Sequence, residues 1–227
     1  MARSLKFDIK IDDKVFIKDP ESSVVGKNIL CHGILLINEI GFEAFTFKKL
    51  ATRIGITEPS VYRYFENKHK FLLYLLAWYW TWMEYKIILA TQNIPSAGER
   101  LIISIKLLTA PIVNDPEFEH IDEKALYQIV ISESSKVYLT KNVDEENKEG
   151  LFIRYKRLCR HVADIIREVN PDYRFPAALI STVIESSHDQ KFFAGHLPSL
   201  TEVTSNNLKD ATEFLTDLVF KTIKPND

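Results

Sequence analysis

Apolar residues recur every three or four positions along most of the chain after residue 20, which is the spacing of an amphipathic helix. Gly, Pro and Asn residues interrupt this pattern, and Gly41 stands where a helix C-cap glycine belongs. We predict an all-α protein of about nine helices, at residues 23–40, 46–54, 57–66, 68–90, 97–113, 121–139, 146–169, 175–194 and 203–223.

The first twenty residues follow a different pattern. Apolar and polar residues alternate at 7–11 and 14–18, around Asp12 and Asp13. Period-two alternation about an acidic turn is typical of a short β-hairpin or of two extended strands. We therefore predict an N-terminal extension, residues 1–21, that carries a short β-hairpin.

The longest uncharged apolar run covers residues 71–83. A membrane span needs about 20 apolar residues, so this run predicts a buried helix. We see no secretory signal, and the two cysteines, Cys31 and Cys159, lie far apart in no paired pattern. We expect a cytoplasmic protein without a membrane segment or a disulfide scaffold.

Charge becomes informative when the chain is divided. The whole sequence has 29 basic and 31 acidic residues, whereas residues 1–70 have 12 basic and 9 acidic residues and the remainder has 17 and 22. A basic N-terminal part on an acidic body indicates a polyanionic partner such as DNA.

Residues 46–66 have the pattern helix, tight turn, helix. Thr46 can cap the first helix, whose first turn carries Lys48 and Lys49, the wrong sign for a helix N-terminus unless a phosphate binds there. Gly55 closes that helix and Thr57 can cap the next one.

The second helix of this pattern has two distinct faces. Val61 and Phe65 project to one side and should be buried. The opposite face is polar and cationic, which suits a DNA groove, and it carries Pro59, Ser60 and Arg63, with Tyr62 and Tyr64 on its flanks.

The stretches 41–51 and 55–68 closely resemble the DNA-binding domain of the TetR family over about 45 residues. The shared landmarks are a glycine and a threonine before a short helix with an aliphatic-Ala pair, a turn glycine, a helix ending in Tyr-x-x-Phe, and a lysine that opens the next helix: Gly41, Thr46, Leu50 and Ala51, Gly55, Tyr62 and Phe65, and Lys68. The resemblance implies a three-helix DNA-binding domain at residues 22–68. Its implied DNA contacts are Thr46, Lys49, Thr57, Pro59, Ser60, Tyr62, Arg63, Tyr64 and Lys68, and we add Lys48 and Glu58 as candidates from their places in the first turns of the two helices. Glu58 departs from the family pattern, and it can either accept from a cytosine amino group or stabilise the helix N-terminus.

The resemblance further implies that residues 69–227 form a helical domain for ligand binding and dimerisation. Aromatic side chains would line a cavity for a small apolar or aromatic effector: Trp78, Trp82, Tyr85, Tyr127 and Tyr155. Two amphipathic stripes would form the homodimer interface, including Leu179, Val183, Phe214, Leu215 and Leu218. Both sets can instead be ordinary core.

Catalytic signatures are weak. The two Glu-x-x-His spacings, at Glu117 and Glu185, lack the paired glutamates of metal-binding helical bundles, and no phosphate-binding or nucleophile motif occurs. We predict a non-enzymatic, ligand-released repressor without metal or cofactor that binds operator DNA as a homodimer. The alternatives are a helical sensor or adaptor that binds a protein partner, and a metal-binding helical enzyme.

Overall fold

The computed structural model describes residues 9–224, and within that range all regular elements are helical. The predicted all-α class is therefore confirmed. The α-helices are α1 (Val24–Ala44), α2 (Phe47–Ile54), α3 (Glu58–Tyr62), α4 (Lys68–Thr91), α5 (Ala97–Thr109), α6 (Glu123–Glu133), α7 (Ser135–Tyr138), α8 (Val143–Lys148), α9 (Ile153–Val169), α10 (Pro176–His196) and α11 (Lys209–Thr222).

Several predicted helices end or divide at identifiable residues. Gly41, with φ 77°, interrupts α1 close to its predicted end. Gly150, with φ 86°, divides the helix predicted at 146–169 into α8 and α9, because a left-handed backbone cannot continue a right-handed helix. The helix predicted at 203–223 begins only at Lys209, after a turn bridged between Thr204 and Asn207.

The predicted N-terminal hairpin is wrong over the described residues. Asp13–Val15 forms a short 3-10 turn, and a second one follows at Pro20–Ser22. The Asp12 carboxylate accepts a hydrogen bond from the Lys14 amide at 3.0 Å, so this aspartate caps a helical turn where a strand connection was expected. Residues 7 and 8 of the first predicted strand lie outside the described part of the chain.

The chain forms two compact units. The first contains the described parts of Met1–Thr81 and Ile112–Arg154, and the second those of Trp82–Pro111 and Tyr155–Asp227. These units do not follow the functional boundary predicted at residue 68, because the beginning of α4 and helices α6–α8 belong to the same unit as α1–α3.

The core of the first unit is aromatic. Residues 71–80 of α4 are all buried, as predicted for the long apolar run. The Phe71 ring stacks on Phe45 at 5.6 Å between centroids and meets Phe65 edge-on at 4.9 Å. Over residues 9–224, no helix is long and apolar enough to cross a bilayer.

The second unit packs α5, α10 and α11 on one another. Leu101, Val183 and Leu215 are buried in its core. Hydrogen bonds join its helices, including one from the Thr109 hydroxyl to the Thr212 hydroxyl at 2.9 Å and one from the Lys191 ammonium to the Ala110 carbonyl at 3.3 Å.

Candidate nucleic-acid interface

Helix α2 begins as the sequence predicts. The Thr46 hydroxyl accepts a hydrogen bond from the Lys49 amide at 3.2 Å and so caps the helix. Lys48 is exposed, whereas the Lys49 ammonium donates to the Ala44 carbonyl at 2.8 Å. Lys48 thus remains available at the N-terminus of α2, while Lys49 neutralises the C-terminus of α1.

The turn between α2 and α3 depends on Gly55. This glycine has φ 72° and ψ 31°, a left-handed conformation that favours glycine. The Ile56 amide donates back to the Ala51 carbonyl at 3.0 Å, which closes the end of α2. The turn sets the direction in which α3 leaves α2.

Helix α3, the candidate recognition helix, is shorter than predicted but presents the predicted faces. Val61 and the following Phe65 are fully buried, and Pro59 and Arg63 are exposed. Tyr62 is 46% exposed, and its ring packs edge-on against Phe47 at 5.1 Å. That packing restrains the ring but leaves the side chain at the surface.

Two hydroxyls at the start of α3, those of Thr57 and Ser60, interact with each other. Thr57 occupies the N-cap position without making the capping hydrogen bond that the sequence predicted. Its hydroxyl lies 2.9 Å from the Ser60 hydroxyl instead. Glu58 and Ser60 are half-buried. Glu58 lies in the first turn of α3, where a carboxylate is favourable.

Tyr64 differs from the prediction that it lies on the exposed face and contacts phosphate. It is only 5% exposed, and its hydroxyl lies 2.8 Å from the Ser23 hydroxyl, at the N-cap of α1. A buried phenol with this partner cannot reach DNA in the present conformation. The residue packs α1 against the end of α3.

Lys68 holds the end of α1. Its ammonium donates to the Phe42 and Glu43 carbonyls, each at 3.2 Å, and lies 4.8 Å from the centre of the Phe42 ring. These contacts satisfy carbonyls that the break at Gly41 leaves outside the helical ladder. The predicted contact of Lys68 with the DNA backbone therefore requires that its ammonium leave these carbonyls and bind a phosphate.

One anchor of the motif carries no sequence signal. The Glu133 carboxylate on α6 accepts a hydrogen bond from the buried Phe42 amide at 3.1 Å and pairs with Lys136 at 2.7 Å. The two residues bonded are 91 positions apart. No local pattern could have identified Glu133 as the residue that fixes the break in α1.

The predicted effector residues fall in both units. Trp78 and Tyr127 are buried in the first unit, where Trp78 meets Phe118 at 5.2 Å and Tyr127 stacks on Tyr79 at 5.8 Å. In the second unit Trp82 is buried beneath the Lys86 ammonium, and Tyr85 and Tyr155 are half-buried. A shared cavity remains a prediction.

The predicted dimer residues differ in their exposure. Val183 and Leu215 are fully buried within a single copy of the chain, and Leu179 is buried too, so in this conformation they pack inside their own copy. The apolar stripes visible in the sequence are those that α10 and α11 turn toward their own core. Phe214, 51% exposed, and the half-buried Leu218 remain available.

Neither Glu-x-x-His spacing forms a metal site in the structure. His120 pairs with Glu21 at 2.8 Å, and His188 is buried, 4.0 Å from the Glu185 carboxylate. Burial lowers the pKa of His188 to about 3, which keeps the ring neutral. Within residues 9–224, no three His, Cys, Asp or Glu side chains are grouped so as to hold a metal ion.

Comparison with solved structures shows the fold. A choline-bound protein from Saccharomonospora viridis superposes with a TM-score of 0.58 at 18% identity, covering 86% of this chain and 94% of that one. AibR, solved with isovaleryl coenzyme A and operator DNA, superposes with a TM-score of 0.57 at 14% identity, covering 86% and 98%.

Similarity to known sequences lies in the helix-turn-helix region near the N-terminus. The model of the family described as bacterial regulatory proteins, tetR family, matches residues 29–75. Over 44 residues the chain is 36% identical to the class G tetracycline repressor protein of Vibrio anguillarum, a match that covers 19% of this chain and only 21% of that protein. Residues 29–75 are therefore similar to the N-terminal domain of the TetR family.

Proposed function

We propose that the chain is a transcriptional regulator that binds operator DNA in a sequence-specific way. The observation that carries this proposal is the exposed face of α3. Tyr62 and Arg63 stand at the surface while Val61 and Phe65, on the other side of the same segment, are fully buried. A short helix held in this way behind a tight turn can enter the major groove.

The exposed side chains match the chemistry of DNA. The Arg63 guanidinium can donate two hydrogen bonds to a guanine edge or to a phosphate. The Tyr62 hydroxyl can bond a phosphate oxygen, and Lys48 offers an ammonium beside the N-terminus of α2. Thr57 and Ser60 carry hydroxyls that can accept or donate to base edges.

The protein would act as a homodimer. Phe192 on α10 and Phe214 on α11 are large apolar side chains exposed on the second unit, and burial against a second copy would remove them from water. A twofold dimer would set two recognition helices about 34 Å apart, one turn of DNA.

Release by a small apolar or aromatic effector completes the proposed repressor. Helix α4 begins at Lys68, directly after the motif, and carries both Trp78 and Trp82. An effector that binds more tightly to an arrangement with misaligned motifs would shift the population away from DNA. AibR supports this proposal, since that structure holds both isovaleryl coenzyme A and operator DNA.

Selection of duplexes from a random pool by the purified protein tests the DNA-binding proposal. We expect an enriched sequence, and Arg63→Ala should weaken binding to it by about 5- to 150-fold if the guanidinium makes a bidentate contact worth roughly 1–3 kcal/mol. Arg160→Ala, which removes an exposed arginine from α9, should leave binding unchanged. Equal binding by wild type and Arg63→Ala would contradict the proposed role of α3.

Sedimentation analysis tests the dimer. Phe214→Asp places a charge on the proposed interface and should yield monomers, whereas Lys156→Asp, at an exposed position of α9, should not. A Phe214→Asp variant that remains dimeric would rule out this face.

A further inference from the structure

The segment of residues 9–23, here called the N-terminal strap, is packed into the first unit. Val15 is buried, and the Phe16 ring meets Tyr74 edge-on at 6.0 Å. Pro20 approaches Gly26 of α1 so closely that a Cβ on Gly26 would lie 2.2 Å from the Pro20 carbonyl oxygen. The path of the strap is therefore fixed by close packing with α1 and α4.

The strap contacts the residue that follows the exposed end of the motif. The Ile17 amide donates to the Tyr64 carbonyl at 2.8 Å, and the Ser23 hydroxyl lies 2.8 Å from the Tyr64 hydroxyl. The Lys18 ammonium lies 5.2 Å from the centre of the Tyr64 ring. The strap thus contacts the main-chain carbonyl, the hydroxyl and the ring of Tyr64.

This arrangement places a cation next to the proposed DNA surface. Tyr64 directly follows Arg63, and Tyr62 is the last residue of α3, so Lys18 lies beside the C-terminal end of the recognition helix. Lys18 itself is exposed.

Lys18 also differs from most lysines around the motif. The ammonium groups of Lys49 and Lys68 donate to carbonyls at the end of α1, and that of Lys14 donates to the Glu149 carbonyl at 2.7 Å. Within the described chain, the Lys18 ammonium has neither a carbonyl nor a carboxylate partner, only the face of the Tyr64 ring. The Lys18 ammonium can therefore bind an external anion without breaking a hydrogen bond.

We propose that the N-terminal strap is part of the DNA-binding surface, with Lys18 contacting a backbone phosphate beside the end of α3. This inference rests on the DNA-binding function proposed above. A phosphate contact orients a protein on DNA but carries no base information, so Lys18 contributes affinity on every sequence and little discrimination.

The test is the salt dependence of affinity for the selected duplex and for a shuffled duplex. Each phosphate contact adds about 0.9 to the slope of log affinity against log salt. Lys18→Gln should therefore lower the slope by about 0.9 for each protomer bound while the ratio of the two affinities stays unchanged. Lys18→Arg should retain the slope.

Lys148→Gln, which neutralises an exposed lysine on α8 of the same unit, is the matched control and should keep the wild-type slope. A wild-type slope for Lys18→Gln, together with lost binding in Arg63→Ala, would overturn the strap contact and leave the regulator proposal standing. Equal slope losses in Lys18→Gln and Lys148→Gln would also overturn it, because the effect would then be one of net charge. Wild-type protein without salt-dependent DNA binding would remove both proposals.

Discussion

Substitution of Gly33 by alanine tests the packing of α1 on α4. A Cβ at position 33 would lie 2.4 Å from Cζ and 2.8 Å from Cε1 of the Phe71 ring. Both distances are far inside van der Waals contact. Phe71 is fully buried between Phe45 and Phe65, so its ring has little room to move away.

Two opposing effects set the magnitude. Alanine in a helix interior is favoured over glycine by about 0.8–1 kcal/mol. Overpacking of a rigid core costs about 1–3 kcal/mol, and the short contact distances place this site near the upper end. We expect a net destabilisation of about 2 kcal/mol, which in a chain of this length lowers Tm by roughly 4–8 °C.

Thermal unfolding followed by circular dichroism measures the effect. Gly98→Ala is the matched control, since Gly98 also lies in a helix but the nearest atom to an added Cβ is the Ser96 hydroxyl oxygen at 3.8 Å. That variant should be neutral or slightly more stable. A Gly33→Ala protein as stable as Gly98→Ala would refute the inference that the Phe71 ring is fixed.

Three further changes have expected outcomes. Glu133→Ala leaves the buried Phe42 amide without its acceptor and should lower the free energy of unfolding, measured by chemical denaturation, by about 1–3 kcal/mol. Glu133→Gln should retain most of that stability, because its amide oxygen can still accept. Equal stabilities of the two variants would contradict this role of Glu133. Gly55→Ala should cost about 1–2 kcal/mol from the left-handed backbone alone, because among the described residues nothing but the two chain neighbours of Gly55 can lie within 4 Å of the added Cβ. Gly55→Asn should cost less, and an unchanged Tm in Gly55→Ala would contradict this expectation. Burial raises the pKa of Glu123 from 4.5 to about 7, so the folded state holds this proton more tightly than the unfolded chain and loses stability as pH rises through that window. Tm measured from pH 4.5 to 7 should therefore fall less in Glu123→Gln than in wild type, and parallel curves would refute the assignment.

The motif was predictable because its signals are local. Thr46 as a cap, Gly55 in a left-handed turn, and Val61 and Phe65 on a buried face each depend on residues a few positions apart. The long apolar run of α4 likewise indicated burial by itself. Such features depend on neighbouring residues and not on contacts with distant parts of the chain.

The structure differs from the sequence predictions where residues far apart in the chain determine the local conformation or the burial of a side chain. Tyr64 has the sequence spacing of an exposed flank, but contacts with the strap 41 to 47 positions earlier bury it. The alternation at residues 14–18 suggested a strand, whereas the Asp12 cap and the buried Val15 favour a helical turn. Val183 and Leu215 show that a sequence stripe reveals an apolar face but not which surface covers it.

Sequence-specific DNA binding is best tested by the affinity of the purified protein for its selected duplex, compared with a shuffled duplex of the same composition at 50 and 200 mM salt. We expect the selected duplex to bind at least about 1,000-fold more tightly, and both affinities to fall steeply with salt. Equal affinity for the two duplexes, or affinity that does not change with salt, would contradict a sequence-specific DNA-binding regulator.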